Sequence, residues 1–384
     1  MTAFRYVVIV LCIFVLCPAT SIAGPKPVGD YLLSTFDDEI ETSNADQPGA
    51  GFIRIALDGN GGGTYQDLSI SDGGPLESGS FNYALNPIGE VKLFPGEGFI
   101  PGIVSSDAQF VSFAEIGENA PGIIFGVRKP TVALSMTPKT YIAAQISDDV
   151  DSPGPGQTAD EPSVKLMNIT LGAGGNGSYQ DLYSSDGEIE SGPFTYAIDS
   201  TPADGNLTVT ITLPAPEPNL VFTGIISQDG SVFTFPFTIP YEPGIVVGIE
   251  KSNGDMDASK AKGKYIMCQF VDEIENLGLV QSADTSAAGI IEVTLDGQGN
   301  GTFREIYSSN PSGQTGSGTL TYTLTSNGEL TVNAPGGGPI NGVMSKNGNL
   351  FILAETAADY PAINIGIKKS PSANAVSSLL LLGN

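Results

Sequence analysis

The chain contains no histidine and no tryptophan. The first absence excludes Ser-His-Asp and Cys-His catalysis, histidine-liganded zinc and histidine acid–base chemistry. The second, in a chain built from small repeated units, argues against a carboxylate-pair glycosidase, which needs an acid and a base or nucleophile across a sugar-binding cleft. Cysteine is nearly as scarce, with only Cys12, Cys17 and Cys268. The first two fall in a segment that reads as a signal peptide, so the mature chain keeps one thiol and can make no internal disulfide. Cys268 has no base to activate it, and its counterparts in the other repeats are Ser34 and Ala144. It reads as a small buried residue.

Positive charge is also in short supply. Sixteen Lys and Arg face 42 Asp and Glu, for a net charge of −26. Phosphate binding needs clustered Lys and Arg, so nucleic acid is excluded as a partner. The charge favours solubility, and an electrostatic partner would be cationic. With 15% charged and 40% hydrophobic residues the chain is no disordered polyanion and can fill cores. Helical 3.6-residue periodicity is missing too, which predicts a protein almost without helix.

The N-terminus has the three parts of a secretory signal. Arg5 supplies the charge, Tyr6 to Leu16 the apolar run, and Ser21-Ile22-Ala23 a small-x-small cleavage site before Gly24. The run is too short to span a bilayer comfortably, so no transmembrane segment is expected after cleavage. The bulky Leu16 before Cys17 fits lipoprotein processing poorly. Export without disulfides suits a bacterial protein that is secreted, periplasmic or on the cell surface.

What dominates the rest is a unit of roughly a hundred residues written three times, too long for a solenoid repeat or one propeller blade. The copies open at Gly29-Asp30-Tyr31, Lys139-Thr140-Tyr141 and Gly263-Lys264-Tyr265, and close at Gly126 to Lys129, Gly248 to Lys251 and Gly366 to Lys369. In each, a Leu-ended strand runs into a Gly-rich turn (Leu57 to Tyr65, Leu171 to Tyr179, Leu295 to Phe303). An aromatic strand follows, then Gly-hydrophobic-hydrophobic-Ser at Gly102 to Ser105, Gly224 to Ser227 and Gly342 to Ser345. Turn residues cut each unit into eight short strands. Asx-Gly pairs such as Asp296-Gly297, Asn327-Gly328 and Asn347-Gly348 supply the positive φ that tight hairpins demand. Eight antiparallel strands in sequence order predict an all-β chain of three tandem up-and-down barrels, because closure removes exposed edges. The alternative is a six-bladed propeller with two blades per repeat.

These landmarks resemble an uncharacterised group of secreted bacterial proteins built from lipocalin-like eight-stranded β-barrel repeats. Shared features are the Gly-x-Tyr entry strand, the strand ending in Asp-Gly-x-Gly, the aromatic strand and the Gly-hydrophobic-Lys exit. The resemblance covers about residues 29 to 369. It implies a fold and brings no catalytic residues.

The organisation expected is a signal peptide at 1–23, repeats at 24–129, 138–251 and 262–369, and a tail at 370–384. The tail reads like a linker towards a fourth Gly-x-Tyr and stops one residue short of the Tyr. Either the array was once longer, or Leu379 to Leu382 docks on a barrel.

Glycine, and not carboxylate, is what the Gly-rich turns share: Gly172 to Gly177 holds no acid at all. They read as turns, not calcium loops. The better cation candidates recur as acid-acid-aliphatic-acid after each first strand. They are Asp38, Glu39 and Glu41; Asp148, Asp149 and Asp151; and Asp272, Glu273 and Glu275. Strand alternation puts the first acid on the face of the aliphatic residue and the other two opposite. The same barrel end holds Asp72 and Glu77 in copy one and Asp186, Glu188 and Glu190 in copy two. Calcium is the possible cofactor there, and otherwise none is expected. The plainer expectation is that these acids are solvated and discourage edge pairing.

The reading is of an exported, non-enzymatic binding or structural module with an extracellular or periplasmic partner. One alternative is a lipocalin-like carrier with small apolar ligands inside the barrels, another a calcium-stabilised adhesion protein. Tyr83, Tyr196, Tyr322, Phe113, Phe235 and Leu353 are candidates for the barrel interiors. A cavity above roughly 300 Å³ would favour the carrier, and a filled interior the scaffold.

Overall fold

The computed structural model describes residues 26–371 except for 41–45, 151–159, 199–205, 212–218, 274–284, 310–315 and a few single loop positions. The expected signal peptide and all but the first two residues of the tail lie outside the described residues.

Twenty-four strands form three closed barrels, each antiparallel and in sequence order. Barrel 1 holds β1 (Val28–Ile40), β2 (Asp46–Asp58), β3 (Gly62–Ile70), β4 (Ser78–Leu85), β5 (Glu90–Phe94), β6 (Ile100–Val104), β7 (Phe110–Ile116) and β8 (Pro121–Arg128). Barrel 2 holds β9 (Lys139–Val150), β10 (Asp160–Leu171), β11 (Asn176–Ser184), β12 (Ser191–Ile198), β13 (Asn206–Ile211), β14 (Leu220–Ile226), β15 (Val232–Ile239) and β16 (Glu242–Glu250). Barrel 3 holds β17 (Gly263–Glu273), β18 (Thr285–Leu295), β19 (Asn300–Ser308), β20 (Ser317–Leu324), β21 (Glu329–Asn333), β22 (Pro339–Met344), β23 (Leu350–Ala357) and β24 (Tyr360–Lys368). Each last strand pairs with the first of its barrel, as Phe270↔Ile363 shows for barrel 3. The propeller is thereby excluded. Helix among the described residues is confined to two single 3-10 turns, Ala173–Gly175 and Ala258–Ala261.

The repeat landmarks are the joints of this fold. The entry tyrosines Tyr31, Tyr141 and Tyr265 are fully buried. Their hydroxyls donate to the carbonyls of Ala108, Gly230 and Gly348 at 2.7, 2.7 and 2.8 Å, tying each first strand to the turn between strands six and seven. The serine of the Gly-hydrophobic-hydrophobic-Ser motif holds the same turn. The Oγ atoms of Ser105, Ser227 and Ser345 accept from the backbone N–H of Phe110, Val232 and Leu350 at 2.9–3.0 Å. The glycine of that motif marks a close crossing: a Cβ on Gly342 would lie 1.9 Å from the Ile352 carbonyl oxygen. In the Gly-rich turns Asp58 accepts from the N–H of Asn60 and Gly62, and Asp296 from Gln298 and Asn300, at 2.7–3.0 Å. Gly59, Gly61, Gly297 and Gly299 adopt positive φ there. These carboxylates shape hairpins.

Three apolar clusters fill the barrel interiors, and a fourth joins the barrels. It is made from the outward faces of strands one, two, six, seven and eight, with Leu32 and Phe36, Ile142 and Ile146, and Ile266 and Phe270 in equivalent places. The contacts run in a cycle: β2 on β15, β10 on β23, and β18 on β7. Strand two of each barrel thus meets strand seven of another, and the third seam closes the ring. Such head-to-tail contacts close only when the rotation between units suits their number. The barrels are one packed body, not beads on linkers.

Candidate functional site

The chemistry-bearing residues fall into three groups: the acidic stretches, the acids of the loop between strands three and four, and the interior of barrel 3.

Asp38, Asp148 and Asp272 are each fully buried. For the first acid of each stretch this corrects the expectation of a solvated carboxylate. Each lies two residues beyond Phe36, Ile146 or Phe270, on the strand face that enters the seam between barrels. The packing of barrel on barrel turns that face inward. The side chains of Glu39, Glu41, Asp149, Asp151, Glu273 and Glu275 lie outside the described residues. Among the described residues no three acidic or cysteine side chains come together in a way that could hold a metal ion.

The second group supplies its own cation. In barrel 2, Lys165 Nζ stands 3.6 Å from Glu190 and 3.9 Å from both Asp181 and Asp186. Burial works against its charge, but Glu190, Asp186 and Asp181 outweigh it and its pKa rises. Asp67, Asp181 and Glu305 have equivalent tasks. Each accepts a hydrogen bond from a backbone N–H across the loop, of Glu77, Glu190 and Gly316 respectively, at 2.8–3.1 Å. Asp72 lies outside the described residues.

Barrel 3 contains a cavity of about 380 Å³. Its walls are the inward residues of the strands: Met267 and Val271 on β17, Ile291 and Val293 on β18, Leu330 and Val332 on β21, and Phe351 and Leu353 on β23. Glu305, Gly316, Gly337, Gly338, Glu355 and Tyr360 lie towards the long-loop end. The other end is closed by the preceding linker. Met256 and Ala261 are buried in the same apolar cluster as the barrel interior. Asp257 caps the 3-10 turn by accepting from Ser259 N–H at 2.8 Å. The Tyr265 hydroxyl also lies 2.8 Å from Ala261 O, so its one proton is shared between that carbonyl and the Gly348 carbonyl. The segment between β16 and β17 is therefore a plug.

Sequence explains the space. Barrel 2 stacks Phe222, Phe235 and Phe237 in its interior, with ring centroids 4.5–5.9 Å apart. By strand register the same places in barrel 3 hold Ile340, Leu353 and Glu355. Three rings are replaced by two aliphatic side chains and a carboxylate. Of the interior candidates, Tyr83, Phe113, Phe235, Tyr322 and Leu353 are buried in the barrel clusters and Tyr196 packs against one.

Two polar residues in the cavity escaped the sequence reading. Burial, and then Asp359, push the pKa of Glu355 up. Asn364 on β24 is 1% exposed, and neither its Nδ2 nor its Oδ1 has a hydrogen-bond partner. The signal for it lay in the repeat: the equivalent positions are Ile124 and Val246. Cys268 behaves as expected, buried with its pKa pushed up to about 12 by burial, beside Ser112 of barrel 1.

These features define a three-barrel repeat protein with a cavity inside its third barrel. No family model and no curated protein matches the chain. Among solved structures it aligns with transferrin binding protein B from Haemophilus parasuis, a Tyr-167-Ala and Trp-176-Ala double mutant described as a vaccine antigen. That alignment has 10% identity and a TM-score of 0.27, covering 91% of this chain and 78% of the other. The isotype 1 transferrin binding protein B of serogroup B Neisseria meningitidis gives 8% identity and a TM-score of 0.28, over 91% and 79%. Likeness at that level carries no argument about this chain, whose fold and site rest on the geometry above.

Proposed function

We propose that the protein is an exported, non-enzymatic binding protein whose third barrel takes up a small apolar ligand, with the first two barrels as its rigid frame. The observation that carries this reading is the 380 Å³ apolar cavity, closed at the linker end and bordered at the other by three glycines, two glutamates and Tyr360. Ligand pockets usually begin near about 300 Å³, with apolar walls and few polar groups. An eight-stranded barrel is just wide enough either to fill itself or to hold one small ligand. The lipocalin-like resemblance of the repeats points the same way. Export is supported by Arg5, the apolar run and the small-x-small site before Gly24.

The test is a fluorescence titration of the mature chain with Nile red, an uncharged apolar dye. Alongside it runs the double variant Leu353→Phe/Glu355→Phe, which gives barrel 3 two of the three rings of barrel 2, those of Phe235 and Phe237. One saturable site per chain, weakened at least tenfold in the double variant, is expected. Non-saturable binding, or equal binding by the double variant, would contradict the reading.

A further inference from the structure

Asn364 stands in the middle of the barrel 3 wall, paired with Gln269 of β17 on one side and Leu353 of β23 on the other. All three line the cavity. An asparagine side chain offers two N–H donors and a carbonyl acceptor. A buried polar group left unmatched destabilises a fold, and natural interiors keep very few. The fold has no need of an amide here, since Ile124 and Val246 fill the equivalent places in barrels 1 and 2. An unmatched amide that takes the place of an aliphatic side chain and lines the cavity is the mark of a group that waits for a partner.

The charges around it narrow the partner. No Lys or Arg is among the residues lining the cavity, while Glu305 and Glu355 both are. A carboxylate entering this space would lose its water and meet only like charge.

We infer that Asn364 is the polar anchor of the chamber, and that its ligand is a neutral, mainly apolar molecule bearing a carboxamide or hydroxyl group. Such a group both donates and accepts, and so satisfies both ends of the asparagine amide. The rest of the ligand lies against Leu330, Val332, Phe351 and Leu353. Fatty-acid carboxylates are excluded by the same groups. The inference rests on the reading of barrel 3 as a binding chamber.

The experiment compares decanamide, decanol and decanoate by titration calorimetry on the full mature chain, with Asn364→Val alongside. The decyl chain is common to all three, so differences report the head group. Decanamide and decanol should bind at least about tenfold more tightly than decanoate. Asn364→Val should cost about tenfold for decanamide, and its unliganded melting temperature should match or exceed that of the wild type, which shows that it folds. Equal binding of the three, or an unchanged decanamide affinity in Asn364→Val, overturns the anchor. Saturable Nile red binding under that outcome would leave the chamber reading intact. If neither Nile red nor any decyl compound binds, both fall together.

Discussion

Lys369, the exit residue of the third barrel, places its Nζ 2.7 Å from Glu90 of the first barrel and 2.7 Å from Glu292 of its own. One half-buried ammonium thereby joins the last barrel to the first. The backbone follows it, with Ser370 N–H donating to Ile88 O at 3.1 Å. The exit of barrel 2 does the same to barrel 3: Lys251 meets Glu329 at 2.8 Å, and Ser252 N–H donates to Asn327 O at 3.0 Å. The contact at the exit of barrel 3 is thus a repeat of the contact at the exit of barrel 2.

Lys369→Ala should destabilise the protein by about 1–3 kcal/mol, because two carboxylates lose a charge-assisted hydrogen bond. Acid should remove the same stability. Burial works against the Glu292 charge, but Lys369 more than offsets it, so the folded pKa lies below the ordinary 4.5. The stabilisation is present above that ordinary value and is lost as pH falls through the depressed one. Urea midpoints of wild type and variant should differ clearly at pH 7 and converge as the pH is taken below the ordinary 4.5 and through the depressed pKa.

Tyr265→Phe should cost more than Tyr31→Phe or Tyr141→Phe. Tyr265 donates towards two buried carbonyls, those of Ala261 and Gly348, and one of them belongs to the plug. About 1–3 kcal/mol is expected for Tyr265, near the lower end for the other two, measured by denaturant unfolding. A smaller loss at Tyr265 would mean that the plug is not held by this hydroxyl.

Gly342→Ala and Gly338→Ala form a matched pair. A Cβ at 342 would strike the Ile352 carbonyl, whereas at 338 it meets nothing within 4 Å. The first should cost about 3 kcal/mol and the second within about 0.5 kcal/mol, read as melting temperatures.

Cys268 should resist iodoacetamide at pH 8 in the folded protein and react once unfolded. Its pKa of about 12 leaves almost no thiolate, and the side chain is fully buried. Mass spectrometry of the alkylated protein decides this. Cys268→Ala, which copies Ala144 of barrel 2, should fold normally.

The barrel fold was legible because its joints are written in residues of narrow use. Tyrosines that reach a turn, glycines under a crossing strand and Asx-Gly hairpins recur at fixed places, and each does one job. The seam between barrels was less legible. Ile142, Ile146, Ile363 and Ile365 show that strands one and eight are apolar on the outward face as well, but strand alternation does not say what covers that face. The burial of Asp38, Asp148 and Asp272 went unread for the same reason. The chamber depends on differences between repeats, whereas the sequence argument looked for what they share. Leu353 against Phe235 and Phe113, and Asn364 against Val246 and Ile124, are the two substitutions that expose it.

Methyl NMR of the mature chain, labelled at Leu, Val and Ile and titrated with decanol, tests the central claim most directly. The account predicts saturable shifts at Leu320, Leu330, Val332 and Leu353 in barrel 3, with Leu33 and Leu93 of barrel 1 and Leu171 and Leu207 of barrel 2 unmoved. Shifts spread evenly over the three interiors, or confined to exposed methyls, would contradict it.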